Sequence, residues 1–196
     1  MLTFKNFNIA DWFSFYRIFA APFLLALIWL DQRLIFTWLL LISYSTDAID
    51  GYLARTLKIT SPRGSQLDSF GDQITLIIGL IGLFYFETDF IRSNFILILI
   101  AFVPYIIQMI IAYLKYGRAT AFHTYFAKFS AIVQSVFILW SLFYSPEDVL
   151  FYIMIGIGIL ETIEEIALIF MYDNWASDIK GIYWALRDNR RIKKTK

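Results

Sequence analysis

Cysteine is absent from this 196-residue chain, which excludes disulfides and thiolate metal sites. Charge is also scarce, because only 17% of the residues are charged and the net charge is +1. A chain with so little excess positive charge has no global basic field, so we expect no nucleic-acid partner. Tandem repeats and low-complexity tracts are lacking as well. The sequence therefore predicts a single domain over residues 1–196.

Apolar residues dominate what is present. They make up 59% of the chain, and its mean hydropathy of +0.63 is far too high for a soluble domain of this length. A spanning helix needs about 20 mostly apolar residues, and six segments qualify. We therefore predict an all-α, polytopic membrane protein with six transmembrane helices. The predicted spans are Trp12–Leu30, Leu34–Arg55, Ser65–Phe86, Ser93–Leu114, Thr124–Tyr144 and Val149–Met171.

The charges between the spans predict an orientation. Basic residues collect near both termini and in the connections at 56–64 and 115–123, whereas the other connections are mostly acidic. The positive-inside rule therefore places these basic parts on the cytoplasmic side of the membrane. We expect an integral protein of the cell inner membrane. The ends Met1–Phe7 and Trp175–Arg187 mix apolar and polar residues, so we expect interfacial helices there. A solvated tail after the last span is the alternative.

Four aspartates interrupt the apolar segments, namely Asp47, Asp50, Asp68 and Asp72. A carboxylate near the centre of a bilayer costs roughly 2.5–3.5 kcal/mol on insertion scales, so these four need cations. Spacings of three and four residues put each pair on one helix face. The short connection makes the two helices antiparallel neighbours that can present all four carboxylates to one cleft. Oxygen-only ligation suits two Mg²⁺ or Mn²⁺ ions, which can assist phosphoryl transfer.

Smaller residues around the aspartates fit a phosphate-bearing ligand. Gly51 permits close approach to the backbone, and Ala54 keeps the same face unobstructed. Arg55 offers a bidentate fork for a phosphate. Gly64 lies where the third helix starts, and a helix start favours an anion.

Together these residues form the pattern D-x2-D-G-x2-A-R-x8-G-x3-D-x3-D. This pattern is the motif of the CDP-alcohol phosphotransferase (CDP-alcohol phosphatidyltransferase) family, which the chain therefore resembles. The N-terminal N8-I-A-D11-W-F-S14-F-Y-R17 is also similar to the family's entry segment. Asp11 and Ser14 depart from that segment, so only Arg17 is carried over.

The resemblance implies a reaction and a role for each motif residue. Asp47, Asp50, Asp68 and Asp72 would hold the two cations, and Arg55 would help them grip the diphosphate of CDP-diacylglycerol. Gly51, Ala54 and Gly64 would make room for the CDP-lipid. Asp72 would also be the base for a small alcohol acceptor, whose oxygen attacks the lipid-bearing phosphorus as CMP leaves. The product would enter phospholipid biosynthesis, and the resemblance implies a homodimer.

The acceptor and its pocket are less well defined by the sequence. Arg17, Arg118 and Lys128 are candidates for the acceptor pocket, with a snorkelling Lys128 as the alternative and His123 as an ordinary loop residue. D68-S-F-G-D72-Q differs from the D-P-x-A-D-K of glycerophosphate-using relatives, which disfavours that acceptor. A soluble CDP-alcohol donor with a lipid acceptor also stays open.

Two further groups of residues lie inside the predicted spans. Glu161, Glu164 and Glu165 in the sixth span either contact the acceptor, pair with Lys128 or Arg17, or hold the span to the bundle. Glycines in the third and sixth spans predict close helix packing. These glycines are Gly79, Gly82, Gly156 and Gly158.

Two other functions compete with phosphatidyl transfer. A Mg²⁺-dependent membrane prenyltransferase also binds a diphosphate through two Asp-rich motifs, but those motifs have D-x-x-x-D spacing and lack D-G-x-x-A-R. A cation transporter with a carboxylate site would show inverted halves with matching broken helices, and this sequence shows none.

Overall fold

The computed structural model describes residues 9–56, 62–177 and 179–187, without the side chains at 9–11, 14, 47, 48, 50–56 and 62–69. This part of the chain is helical apart from connections and one isolated backbone bridge, between Ala121 and Ser177. A short helical stretch at 182–187 ends the described residues. The named helices are α1 (Ile9–Trp29), α2 (Arg33–Thr56), α3 (Pro62–Phe86), α4 (Thr88–Ser93), α5 (Phe95–Tyr116), α6 (Tyr125–Phe143) and α7 (Asp148–Met171).

The predicted all-α class is confirmed, and each predicted span corresponds to a helix with ends shifted by a few residues. Within the described residues, α5 and α6 are long and apolar enough to cross a membrane. Three further apolar stretches are shorter than a span there, namely Phe15–Trp29, Arg33–Thr46 and Phe70–Phe86. α7 is also apolar, but it contains three glutamates, Glu161, Glu164 and Glu165. Six crossings therefore stay a prediction.

One predicted connection is wrong in detail. The segment 87–92 was expected to be a loop, but Thr88–Ser93 forms α4. Asp89 in its first turn and Arg92 in its last turn have the signs that a helix dipole favours at those ends. The same charges made the segment look like a polar loop. The next helix, α5, is capped at its C-terminal end by Gly117, whose φ of 70° is in the left-handed region that glycine adopts at little cost.

The chain divides into two compact units, and the first contains Met1–Thr88 and Ile138–Pro146. In it α1 packs against both α2 and α3. Apolar side chains from these helices form the buried interior, namely Ala20, Ala21, Leu24, Ile28, Phe36, Leu40, Ile78 and Leu83. The Arg33 side chain donates hydrogen bonds to the carbonyls of Ser141 and Leu142 and pairs with Glu87. Buried hydroxyls such as Thr37 and Ser43 bond to carbonyls of their own helix, which satisfies them in an apolar setting.

The second unit contains Asp89–Phe137 and Glu147–Lys196. α5 packs against α7, and the rings of Phe90, Phe137 and Phe151 contact one another with centroids 5.1–6.2 Å apart. A second buried cluster comprises Ala112, Phe122, Leu168, Ile169 and Ala185. Ala185 belongs to the C-terminal segment, by which we mean residues 173–177 and 179–187. This segment is therefore part of the packed unit.

Candidate active site

The motif residues lie on two helices that pack within the first unit. Asp47, Asp50, Gly51, Ala54 and Arg55 belong to the last part of α2. Gly64, Asp68 and Asp72 belong to the first part of α3, which begins at Pro62. Because both segments are helical, the three-residue and four-residue spacings place the two aspartate positions of each pair on one face of their helix. Apart from Asp72, the side chains of these motif residues lie outside the described part of the structure.

Asp72 has a described environment, and α1 supplies its partner. The Nη2 atom of Arg17 lies 3.0 Å from Oδ1 of Asp72. Arg17 is 1% exposed, whereas the Asp72 side chain is 45% exposed. The pair therefore joins a buried guanidinium on α1 to a carboxylate on α3 that remains partly open. A charge-assisted bond of this kind fixes both groups in direction as well as distance.

The donor chemistry of the motif fits a hard divalent cation. Four carboxylates provide oxygen ligands of the type that Mg²⁺ and Mn²⁺ prefer. Asp72, whose side chain is described, keeps part of its surface open beside Arg17. Among the residues that the structure describes, no group of three or more acidic, histidine or cysteine side chains could hold a metal. The side chains of the expected ligands Asp47, Asp50 and Asp68 lie outside the described part of the structure, so the metal site stays a prediction.

A comparison with protein families identifies the family of the chain. The family model of the CDP-alcohol phosphatidyltransferases matches residues 7–172. The chain belongs to this family. It is therefore a transferase of phospholipid biosynthesis, and its two apolar helices agree with a membrane protein. No curated protein and no solved structure matches the chain.

Other predicted acceptor residues of this transferase lie in the second unit. The Arg118 guanidinium lies over the Trp175 ring at 4.0 Å from its centroid, a cation–π arrangement. Lys128 is exposed on α6, and no ion pair of its side chain is found among the described residues. His123 is exposed and has a φ of 50°. The structure thus brings Arg17 to Asp72, while Arg118 and Lys128 belong to the other unit.

The transferase also contains a polar network that joins α7 to α5, in which Gln108 on α5 is a partner that the sequence did not predict. Glu165 accepts hydrogen bonds from Gln108 Nε2 at 2.6 Å and from Thr120 Oγ1 at 2.8 Å. Gln108 is buried in the middle of α5, an otherwise apolar helix. The position of Gln108 in the sequence could have indicated this network, because a polar side chain inside a span generally faces the protein interior and finds a partner there.

The neighbouring Glu164 joins α7 to one earlier and one later part of the unit. Its carboxylate accepts hydrogen bonds from Thr124 Oγ1 at 2.8 Å and from the backbone N–H of Ile182 at 3.1 Å. Gly181 adopts a φ of 145°, and a Cβ there would lie 3.1 Å from Glu164 Oε1. Among the described residues no ion pair joins Glu161, Glu164 or Glu165 to Lys128. Glu164 and Glu165 instead hold α7 to its own unit.

Proposed function

We propose that this membrane transferase moves a phosphatidyl group from CDP-diacylglycerol to a small alcohol and releases CMP. Membership of the CDP-alcohol phosphatidyltransferase family over residues 7–172 carries the proposal. The motif on α2 and α3 supports it, because all its identities are present at the family's spacing. We further propose a single domain over residues 1–196, a homodimer, and an active site at the cytoplasmic face of the inner membrane.

Each motif residue has a proposed role in holding the donor. Asp47, Asp50, Asp68 and Asp72 would bind two divalent cations, Mg²⁺ or Mn²⁺, which when bound supply positive charge against the donor diphosphate. Arg55 binds a phosphate through its planar fork. Gly51, Ala54 and Gly64 are the residues beside which the CDP group fits. These small residues matter because a larger side chain would occupy the space that the nucleotide needs.

The proposed reaction needs a base and a leaving group. The Asp72 carboxylate takes the proton from the acceptor hydroxyl, and the acceptor oxygen forms a bond to the lipid-bearing phosphorus. The bond from that phosphorus to the bridging oxygen breaks, and its electron pair leaves with CMP. The partly open Asp72 side chain supports this role, since a base must lie within hydrogen-bond reach of the hydroxyl.

An apolar groove in the first unit supports a lipid-bearing donor. It has a volume of about 490 Å³ and lies between α1 and α2. Aromatic and aliphatic side chains dominate its lining, which consists of Trp12, Phe13, Tyr16, Ile42 and Thr46. Thr46 directly precedes Asp47, so the groove reaches the part of α2 where the motif begins. An acyl chain would bury apolar surface there while the diphosphate lies at the motif.

For the alcohol acceptor we propose only a chemical class. D68-S-F-G-D72-Q disfavours glycerol 3-phosphate, and Arg118 and Lys128 are the proposed pocket residues, whereas the Arg17 side chain is buried. Basic residues in that pocket would suit a phosphorylated or otherwise anionic alcohol.

CMP release tests the proposed function. Purified protein in detergent with Mg²⁺ is supplied with CDP-diacylglycerol and, separately, with a panel of alcohols. We expect CMP and a new phospholipid, identified by mass, with at least one alcohol, and no release when the metal is removed by EDTA. Asp50→Asn should lower the rate on the order of 100-fold, the scale of losing one electrostatic contact to a transition state.

Asp89→Asn is the matched control, because Asp89 is an exposed carboxylate on α4 outside the motif. It should retain the wild-type rate. Release from a soluble CDP-alcohol but not from CDP-diacylglycerol would contradict the proposed donor. Equal losses in Asp50→Asn and Asp89→Asn would contradict the proposed site.

A further inference from the structure

Arg17 is a fully buried cation. It is 1% exposed, and it lies on α1, which packs against both motif helices, α2 and α3. A buried guanidinium is costly unless a partner compensates its charge. Asp72 on α3 is one such partner, because Nη2 of Arg17 and Oδ1 of Asp72 lie 3.0 Å apart.

The two members of this pair differ in access. None of the Arg17 side chain is exposed, whereas 45% of the Asp72 side chain is. In this arrangement Arg17 has no accessible surface to offer a substrate. Any effect of Arg17 on the reaction must therefore pass through a neighbour, and Asp72 is the neighbour with a proposed chemical role.

The direction of the Asp72 carboxylate matters for that role. A base needs an oxygen lone pair within about 2.6–3.2 Å of the proton that it takes. A carboxylate on a short, partly exposed side chain can rotate away from that direction. The guanidinium is planar and rigid, so a guanidinium fixed by burial restricts this rotation. This part of α1 is packed, since Ala20, Ala21 and Leu24 are also buried.

We propose that Arg17 is a positioning residue, whose buried guanidinium holds the Asp72 carboxylate in the orientation required for transfer. The inference rests on the proposed function, in which Asp72 is the base. It gives Arg17 a different role from the predicted one in the acceptor pocket, and the two roles have different kinetic consequences. A positioning residue changes kcat, whereas a residue that contacts the acceptor changes its KM.

The test compares Arg17→Gln, Arg17→Lys, Asp72→Asn and the double variant Arg17→Gln/Asp72→Asn. Rates are measured per folded protein, with CDP-diacylglycerol and with a soluble CDP-alcohol as donors. We expect Arg17→Gln to lower kcat about 100-fold, the scale of a misplaced catalytic group, with little change in acceptor KM. Arg17→Lys should recover part of that loss. The double variant should be no slower than Asp72→Asn, because the carboxylate that Arg17 is proposed to orient is already absent.

Thermal unfolding of the same four proteins gives a second readout that needs no substrate. The midpoint shifts of Arg17→Gln and Asp72→Asn should not add in the double variant, because each removes the same ion pair. Arg33→Gln is the matched control, since Arg33 binds the carbonyls of Ser141 and Leu142. It should lower the unfolding midpoint and leave kcat per folded protein unchanged.

Three results would overturn the inference. A raised acceptor KM with kcat retained would assign Arg17 to the acceptor pocket. Independent, multiplicative losses of kcat in the double variant would show that Arg17 does not act through Asp72. An unchanged kcat in Arg17→Gln would leave Arg17 only a structural role. Each of these leaves the proposed function standing. A wild type that releases CMP from neither donor would remove the proposed function and this inference with it.

Discussion

At Gly79 and Gly82, α3 leaves room for aromatic side chains of α2. A Cβ on Gly79 would lie 2.7 Å from the Tyr44 hydroxyl oxygen, and a Cβ on Gly82 would overlap the ring of Phe36. Phe36 is fully buried and also contacts the Phe86 ring, so it has little space to move. The expected close packing is confirmed for these two glycines.

The glycines of α7 behave differently from those of α3. Among the described residues, nothing lies within 4 Å of a Cβ built on Gly156, and the nearest atom to one on Gly158 is Gln134 Nε2 at 4.0 Å. Packing so close that it requires a glycine is therefore not found at either position in this part of the chain. Composition could not separate the two pairs, because the space beside a glycine depends on which side chain faces it from another helix.

Alanine substitution should separate the two environments. We expect Gly82→Ala to destabilise the protein by about 1–3 kcal/mol, the usual cost of overpacking a core. Gly156→Ala should be neutral or stabilising by up to about 1 kcal/mol, because alanine is the better helix former and the site is open. Unfolding midpoints in detergent measure both. Similar midpoints for the two variants would contradict the packing at Gly82.

The C-terminal segment is the element that differs most from expectation. Residues 175–187 were predicted to be an interfacial helix or a solvated tail, but helix covers only 182–187. The Ile179 N–H donates to the Phe122 carbonyl at 2.7 Å, and the Tyr125 N–H donates to the Lys180 carbonyl at 3.2 Å. These bonds join segments far apart in the chain, so no local pattern of apolar residues could predict them.

Glu164 connects this segment to α7, and its removal should loosen the segment locally. Hydrogen bonds to a charged group contribute about 1.5–3 kcal/mol each, and Glu164 accepts two. We expect Glu164→Ala to raise amide hydrogen exchange in residues 179–187 at least about tenfold, the factor that corresponds to 1.4 kcal/mol. Peptide-level exchange measured by mass spectrometry reports this opening.

Glu161→Ala is the control for that experiment. Glu161 lies one turn away on α7, and no hydrogen bond of its side chain is found among the described residues. Its substitution should leave exchange in residues 179–187 unchanged. Faster exchange in both variants would show that α7 itself is disturbed, and unchanged exchange in Glu164→Ala would contradict the anchoring role of Glu164.

Across the whole molecule, the sequence predicted local features better than long-range partners. Runs of about 20 apolar residues located six of the helices, since a single segment carries that signal. α4 was missed because its charges resemble those of a loop. The motif spacing identified the family, but the Arg17–Asp72 pair depends on how α1 packs against α3. Contacts of that kind follow from tertiary packing, which the single sequence does not specify.

The orientation of the molecule in the membrane can be tested directly, because the chain lacks cysteine and any introduced thiol is unique. Ala119→Cys lies in the connection predicted to be cytoplasmic, and Ser145→Cys lies in the connection predicted to be on the other side. Both positions are exposed, and both replacements are small. Intact cells are treated with a membrane-impermeant maleimide, and lysed cells provide the measure of full labelling.

We expect Ser145→Cys to react in intact cells and Ala119→Cys to react only after lysis. The physical reason is the asymmetry of basic residues between the two sets of connections, which retains the more basic set in the cytoplasm. The two positions must respond oppositely, since α6 lies between them and is apolar enough to cross the membrane. Labelling of both in intact cells would contradict the crossing by α6. The inverse pattern would keep that crossing but move the proposed active site to the opposite face, where no cytoplasmic CDP-linked donor could reach it.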